Sequence, residues 1–140
     1  VHALVRRGYR PLAQLEQDTT KRLATVRLRP PDEAGEKGVV LDLLFASSGL
    51  EPEIVAAAET LEVFPHLSVP VARIAHLIAT KVLARDDRTR PQDLADLRGL
   101  LARTDAAERV QARAALECVH ARGYHRGRDL LAAFDELLRS

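Results

Sequence analysis

Asp42 is the one charged residue in an apolar run that extends from Val39 to Ala46. The run predicts a central strand covered on both faces, because no solvated positions alternate with the apolar ones. A carboxylate buried there needs a partner, since an unpaired buried charge costs several kcal/mol. At an open sheet edge or the mouth of a cleft, Asp42 could bind a metal ion or act as a general base. The alternative is a structural carboxylate, bonded to backbone amides or to one basic side chain.

Lys81 falls inside an apolar helical stripe and not on the solvated face of its helix. It follows Ile74, Leu77 and Ile78 at spacings of seven, four and three residues, which places all four on one side. Arg85 continues the stripe one turn later. The aliphatic face of this helix is therefore expected to become cationic at its C-terminal end.

Two aspartates follow on the next predicted helix, which starts at Pro91. Asp93 and Asp96 lie near its N-terminus, where the helix dipole favours carboxylates. The link between the helices is short, so they should be antiparallel neighbours with Lys81 in reach of either carboxylate. One interpretation is an interhelical salt bridge with a packed lysine stem. The other is a lysine that contacts a triphosphate, oriented by an aspartate behind it.

A basic cluster with one aromatic residue lies at the end of the predicted helix Asp105–Arg122 and just beyond it. It could bind an RNA acceptor, because arginines attract phosphates and a tyrosine can stack on a base. The alternative is a set of helix-end arginines beside a solvated loop. The cluster comprises Arg122, Tyr124, His125, Arg126 and Arg128, with His120 just before it.

An α+β fold must position these candidates, with strands in the first half of the chain and helices in the second. The hydrophobic period changes from two to about 3.6 at Pro70. We therefore expect a small mixed sheet within residues 1–69 and a helical part at 70–140, packed together as one domain. Predicted strands are Tyr9–Glu16, Arg22–Arg29, Val39–Ala46 and two short pieces in Leu61–Val69; predicted helices are Glu53–Ala58, Val71–Arg85, a segment from Pro91 to Leu101, Asp105–Arg122 and a segment from about Arg128.

Composition narrows the functional classes. Lys and Arg total 21 and Asp and Glu total 20, giving a net charge of +1 and no overall attraction for nucleic acid or a membrane surface. No apolar run is long enough to cross a bilayer. The single cysteine, Cys118, excludes an internal disulfide and is typical of a reducing cytoplasm.

Two stretches of the sequence together resemble a known family. They are VVLDLLFASSG, from Val39 to Gly49, and HLIATKVLARDDRTRPQDLADL, from His76 to Leu97. Both are similar to the AbiEii-type toxin nucleotidyltransferases of the polymerase-beta-like superfamily. In that family an apolar strand carries the third active-site carboxylate, and a downstream helix carries a lysine. The next helix opens with Arg-Pro-x-Asp-x-x-Asp-Leu, and the resemblance covers roughly Gly8 to Leu101.

The resemblance implies transfer of a nucleoside monophosphate from an NTP to an acceptor hydroxyl, with Mg²⁺ as cofactor and RNA, tRNA or protein as acceptor. Asp42, Lys81 and Asp96 are then the expected catalytic residues. Asp42 would bind the metal, Lys81 would contact a β- or γ-phosphate, and Asp96 would orient Lys81, with Asp93 in support. A cognate antitoxin and a cytoplasmic location are also implied. Arg85 and Arg90 are the expected further phosphate contacts.

The chain departs from the family pattern in one respect. Such enzymes hold two Mg²⁺ ions with an Asp-x-Asp pair that follows a Gly-Ser or Gly-Gly turn, and neither element occurs in this sequence. Because Val1–Arg7 reads as the end of a helix closed by Gly8, we expect a chain that begins mid-domain. A degenerate domain that only binds nucleotide, RNA or a partner protein would show the same pattern. In a third interpretation, Asp42, Lys81 and Asp96 form structural ion pairs.

Overall fold

The computed structural model describes residues 1–16, 23–32, 35 and 38–139. Its backbone divides into two compact units, Val1–Ser47 and Ser48–Ser140. The sequence-based boundary between residues 69 and 70 falls inside the second unit, and that division stays a prediction. Arg22, where the second strand was predicted to start, lies outside the described residues.

The described residues of the first unit form one short helix and a three-stranded antiparallel sheet. The helix ends before Gly8, whose φ of 86° gives the left-handed conformation expected after a helix end. The strands lie in the order β1-β2-β3, with β2 in the centre. These elements are α1 (His2–Val5), β1 (Arg10–Glu16), β2 (Leu23–Arg29) and β3 (Leu41–Leu44).

The two faces of this sheet differ in burial. Val26 and Leu28 of β2 are fully buried, and their cross-strand partners on β3 are Leu43 and Leu41. The opposite face of β3 carries Asp42 and Leu44, and Leu44 is 79% exposed.

The prediction of a central strand covered on both faces is therefore wrong. Within the described residues β3 pairs only with β2, so it is an edge strand with one covered face. An apolar run does not distinguish a strand buried on both sides from one whose second face is open.

The second unit begins with a short helix and a β-hairpin. The helix is α2 (Glu51–Ala56), and the hairpin consists of β4 (Glu59–Phe64) and β5 (Leu67–Val71). Pro65 and His66 make the turn, and His66 adopts a positive φ of 65°. The prediction of two extended pieces interrupted by Pro65 is confirmed.

Four helices complete the second unit and enclose its hydrophobic core. Asp105 caps the longest of them, because its carboxylate accepts from the Glu108 amide while the Glu108 carboxylate accepts from the Asp105 amide. The helices are α3 (Ile74–Ala84), α4 (Gln92–Leu101), α5 (Ala106–Ala121) and α6 (Leu130–Arg139). The largest core side chains are those of Leu50, Ile78, Leu97, Leu116, Leu130 and Phe134.

The α+β class predicted from the sequence is confirmed. The described strands form two antiparallel sheets, however, where one small mixed sheet was expected. Within the described ranges, no helix combines the length and the apolar character needed to cross a membrane.

Candidate functional site

Lys81 on α3 lies beside two carboxylates of α4. Its Nζ donates a hydrogen bond of 2.8 Å to Asp96 Oδ2 and lies 3.9 Å from Asp93 Oδ1. The Lys81 side chain is 33% exposed, so the ammonium remains accessible to solvent. The prediction that Lys81 could reach Asp93 or Asp96 is therefore confirmed.

The two carboxylates have different environments. The Asp93 side chain is only 4% exposed, whereas that of Asp96 is 55% exposed. Arg90 donates to Asp93 Oδ1 at 3.2 Å, and its Nε lies 3.2 Å from Oδ2 without hydrogen-bonding geometry. Asp93 Oδ2 consequently accepts no hydrogen bond from a described group. The buried aspartate is thus held between two cations, Lys81 and Arg90.

The α3–α4 link fixes this arrangement through Asp86. Its carboxylate accepts from the Thr89 hydroxyl at 2.7 Å and from the Arg88 amide at 3.1 Å, and its carbonyl accepts from the Arg90 amide at 2.8 Å. The Thr89 hydroxyl and the Arg88 amide lower the pKa of the Asp86 carboxyl. A turn of this kind is typical of a short Asp-rich link, and it brings the start of α4 next to Lys81.

Lys81 lies at the rim of the buried face of α3, so the prediction that it falls inside the apolar stripe is wrong. The residues of α3 that face the core are Ala75, Ile78, Ala79, Val82 and Leu83, whereas Leu77 is 39% exposed. This rim position lets the lysine stem pack while its ammonium faces outward.

Arg85 lies apart from the Lys81 group. It follows the last residue of α3, and its guanidinium pairs with Asp87, with Nε 2.6 Å from Oδ1. Arg85 lowers the pKa of the Asp87 carboxyl. The guanidinium expected to contact a phosphate is thus already neutralised by a carboxylate two residues away.

Asp42 in the first unit has one basic partner among the described residues. Arg27, directly opposite on β2, donates from Nε to Oδ1 and from Nη2 to Oδ2, both at 2.7 Å. The hydrogen bonds from Arg27 lower the pKa of Asp42, and Asp42 raises the pKa of Arg27. The prediction that Asp42 has a partner is confirmed. The partner is a basic side chain, as expected if Asp42 is a structural carboxylate.

The basic cluster after α5 is largely engaged in internal contacts. Arg122 pairs with Glu53 and donates to the Gly49 carbonyl, while Arg128 donates to the Leu83 carbonyl at 2.8 Å. The Tyr124 ring lies against Gly49 and is 46% exposed. These contacts favour the interpretation of this segment as helix-end structure.

Arg27 was missed as a site residue, although the sequence contained a partial signal for it. It alternates with buried Val26 and Leu28, so its position on an exposed strand face was predictable. The β2–β3 register that sets it opposite Asp42 was not predictable, because the pairing depends on the intervening turn.

One comparison with known proteins identifies the chain. A model of the AbiEii family, described as nucleotidyl transferase AbiEii toxins of type IV toxin–antitoxin systems, matches residues 4–140. The chain belongs to this family. A search of the curated proteins finds no match.

The AbiEii match extends beyond the resemblance visible in the sequence, which ended near Leu101. It continues through α5 and α6, so both helices belong to the AbiEii domain. At the family level the chain is a nucleotidyltransferase toxin, for which an NTP substrate and a cognate antitoxin are expected in general.

The AbiEii assignment also implies a divalent metal, because nucleotidyltransferases generally use one. The described residues do not fit such a site. No group of three or more His, Cys, Asp or Glu side chains among them could hold an ion. Asp42 offers one carboxylate, and both of its oxygens accept hydrogen bonds from Arg27.

Proposed function

We propose that this AbiEii chain provides a lysine that contacts the phosphates of a nucleotide bound to a nucleotidyltransferase. The observation that carries the proposal is the Lys81 ammonium, which is solvent-accessible and flanked by Asp93 and Asp96. A lysine held in this way is a preoriented point charge for a β- or γ-phosphate.

The unequal burial of the two aspartates suggests separate roles. Asp96 is exposed enough to exchange its contact with Lys81 for solvent when a phosphate arrives. Asp93 is buried and pairs with both Lys81 and Arg90, so it would keep the lysine in place. Arg90 is the second proposed phosphate contact, and Arg85 would become one only after releasing Asp87.

The proposed reaction is transfer of a nucleoside monophosphate. An acceptor hydroxyl oxygen bonds to the α-phosphorus of an NTP, and the bond from that phosphorus to the bridging oxygen breaks. Pyrophosphate leaves with the bonding electrons, and the hydroxyl proton passes to solvent or a base. RNA, tRNA or a protein is the proposed acceptor, and the cytoplasm is the proposed location.

Mg²⁺ is the proposed metal, with Asp42 as one of its ligands. Asp42 would first have to release Arg27. The remaining ligands would have to come from outside the described residues, since these contain no cluster that could hold an ion.

The proposal is tested by nucleotide binding to the 140-residue chain. Isothermal titration with Mg-ATP and Mg-GTP should detect weak binding by the wild type. Lys81→Ala should weaken this binding by about tenfold, the equivalent of about 1.4 kcal/mol, and Lys81→Arg should recover part of it. Arg88→Ala is the matched control, because it removes one positive charge from the exposed α3–α4 link. Equal binding by Lys81→Ala and wild type would refute a phosphate contact at Lys81.

A catalytically inactive binding module is the second candidate function. The Arg27–Asp42 pairing favours it, because the one proposed metal ligand is already occupied by a cation. The two functions differ in an assay with radiolabelled NTP and tRNA. Covalent transfer of label by the wild type supports the enzyme, whereas Lys81-dependent binding without transfer supports the module. A purely structural role predicts that Lys81→Ala lowers thermal stability with no nucleotide binding to lose.

A further inference from the structure

A cavity of about 430 Å³ lies in the second unit, between the β4–β5 hairpin and the first turns of α3 and α5. Leu61 and Val71 line it from the hairpin, Ile74 from α3 and Ala107 from α5. Its volume lies toward the lower end of the range for ligand pockets, which is about 300–1,000 Å³. None of the groups discussed for nucleotide binding contributes to its lining.

The hairpin beside the cavity has an unusually exposed apolar surface. Every residue of β4 is exposed, including Leu61 at 47% and Phe64 at 67%. In the described part of the chain β4 pairs only with β5, so its other edge keeps backbone donors and acceptors free for a further strand. A two-stranded sheet is marginal by itself, and an extended segment added to such an edge is a recurring mode of peptide recognition.

The charged side chains around the cavity indicate whether its ligand carries positive or negative charge. Glu59, Asp105 and Glu108 contribute three carboxylates to the lining, against the single guanidinium of Arg73. Arg73 is already paired with Glu59, with Nη2 2.7 Å from Oε1. The surplus carboxylates, Asp105 and Glu108, accept from backbone amides and have no cationic side-chain partner among the described residues. The cavity therefore disfavours a phosphate and favours a cation.

We propose that this cavity docks an extended segment of a partner protein, in which an apolar side chain alternates with lysine or arginine. The apolar side chain enters the space between Leu61, Ile74 and Ala107. A basic neighbour of that side chain pairs with Asp105 or Glu108, and the segment's backbone extends along β4. The inference does not depend on the proposed nucleotide site.

The probe is a fluorescein-labelled peptide in which lysine alternates with leucine and valine. The control peptide carries glutamate in place of every lysine. Anisotropy at low salt should show saturable binding of the lysine peptide and at least tenfold weaker binding of the glutamate peptide. Ala107→Phe fills the cavity from an exposed position and should weaken binding at least tenfold. Ala106→Phe is the matched control, since Ala106 is also exposed but does not line the cavity, and its affinity should equal that of wild type.

Leu61→Asn gives an independent test on the hairpin side and should also weaken binding. Circular dichroism of each variant verifies that the fold is retained. Absence of lysine-peptide binding, equal affinity for both peptides, or unchanged affinity in both Ala107→Phe and Leu61→Asn would overturn the proposal. Binding of a small organic cation without binding of the lysine peptide would identify a small-molecule pocket instead and would also overturn the proposal.

Discussion

Arg27 and Asp42 lie directly opposite each other on β2 and β3, and two hydrogen bonds of 2.7 Å join their side chains. The pair lies on the open face of the sheet, where both side chains are at least one third exposed. Bidentate geometry of this kind is the strongest form of an arginine–carboxylate contact. Asp42 must therefore exchange a good partner for any ligand it binds.

The pairing predicts a specific pH dependence. Arg27→Met should raise the pKa of Asp42 toward its ordinary value of about 3.9, which NMR titration of the carboxyl carbon would measure. Because the folded-state pKa of Asp42 is lowered, the pair contributes stability above the unfolded-state pKa and loses it as the pH falls through the folded-state value. The stability difference between wild type and Arg27→Met should thus close below about pH 4. Arg29→Met removes the same charge from β2 and should leave the Asp42 titration unchanged; a shift there would contradict the assignment.

The two aspartates beside Lys81 should differ in their contributions to stability. Asp93→Ala removes a buried carboxylate that pairs with two cations, so it should lower the free energy of unfolding by about 1–3 kcal/mol. Asp96→Ala removes an exposed partner and should cost less than about 1 kcal/mol. Urea denaturation measures both. Equal losses would show that the burial difference has no energetic consequence.

Alanine substitutions at Gly49 and Gly127 should distinguish the effect of a side-chain clash from that of backbone strain. Both have a φ of 70°, but a Cβ at Gly49 would lie 2.5 Å from a Tyr124 ring carbon, whereas one at Gly127 meets no atom within 4 Å. Gly49→Ala should therefore be less stable than Gly127→Ala by about 1–3 kcal/mol, the usual cost of overpacking. Adding Tyr124→Ala should remove most of this excess. Equal melting temperatures for the two alanine variants would show that the Tyr124 ring moves away freely.

His76 should make stability fall in mild acid. Burial is the main cause that lowers its pKa, the Arg73 charge adds to this, and its Nδ1 is buried with no partner among the described groups. The unfolded chain then binds a proton more readily below about pH 6.5, so stability should rise with pH between the lowered folded-state pKa and that value. Urea denaturation from pH 5 to 7.5 should give a smaller slope for His76→Gln than for wild type. His2→Gln, at an exposed position, should keep the wild-type slope.

The helical half of the chain was the more predictable half, because its signals are local. Asp105 was predicted to begin the helix that it caps. The spacing of Lys81 from Ile74, Leu77 and Ile78 predicted a lysine inside the helical stripe, and the lysine lies at the rim of that stripe. The contact between Lys81 and Asp96 followed from a short link between neighbouring helices.

The environment of Asp42 was less predictable, because it depends on strand pairing between distant residues. The apolar run around Asp42 indicated burial correctly for one face, where Leu41 and Leu43 are partly buried. It contained no information on what covers the other face or on the register with β2. The same limit explains why Arg27 was not foreseen as its partner.

Asp42 also interrupts an exposed apolar segment that runs through the edge strand β3 and the residues on either side of it. Val39, Val40, Leu44 and Phe45 are all more than 40% exposed, and edge strands of this composition are templates for intermolecular pairing. The Asp42 charge opposes such pairing, because uncharged segments of six or seven residues with high β-propensity assemble most readily. Asp42→Asn would leave residues 39–46 without any charge and should promote fibrillar self-association. We therefore expect this one carboxylate to oppose self-association of the segment, independently of any ligand that it binds.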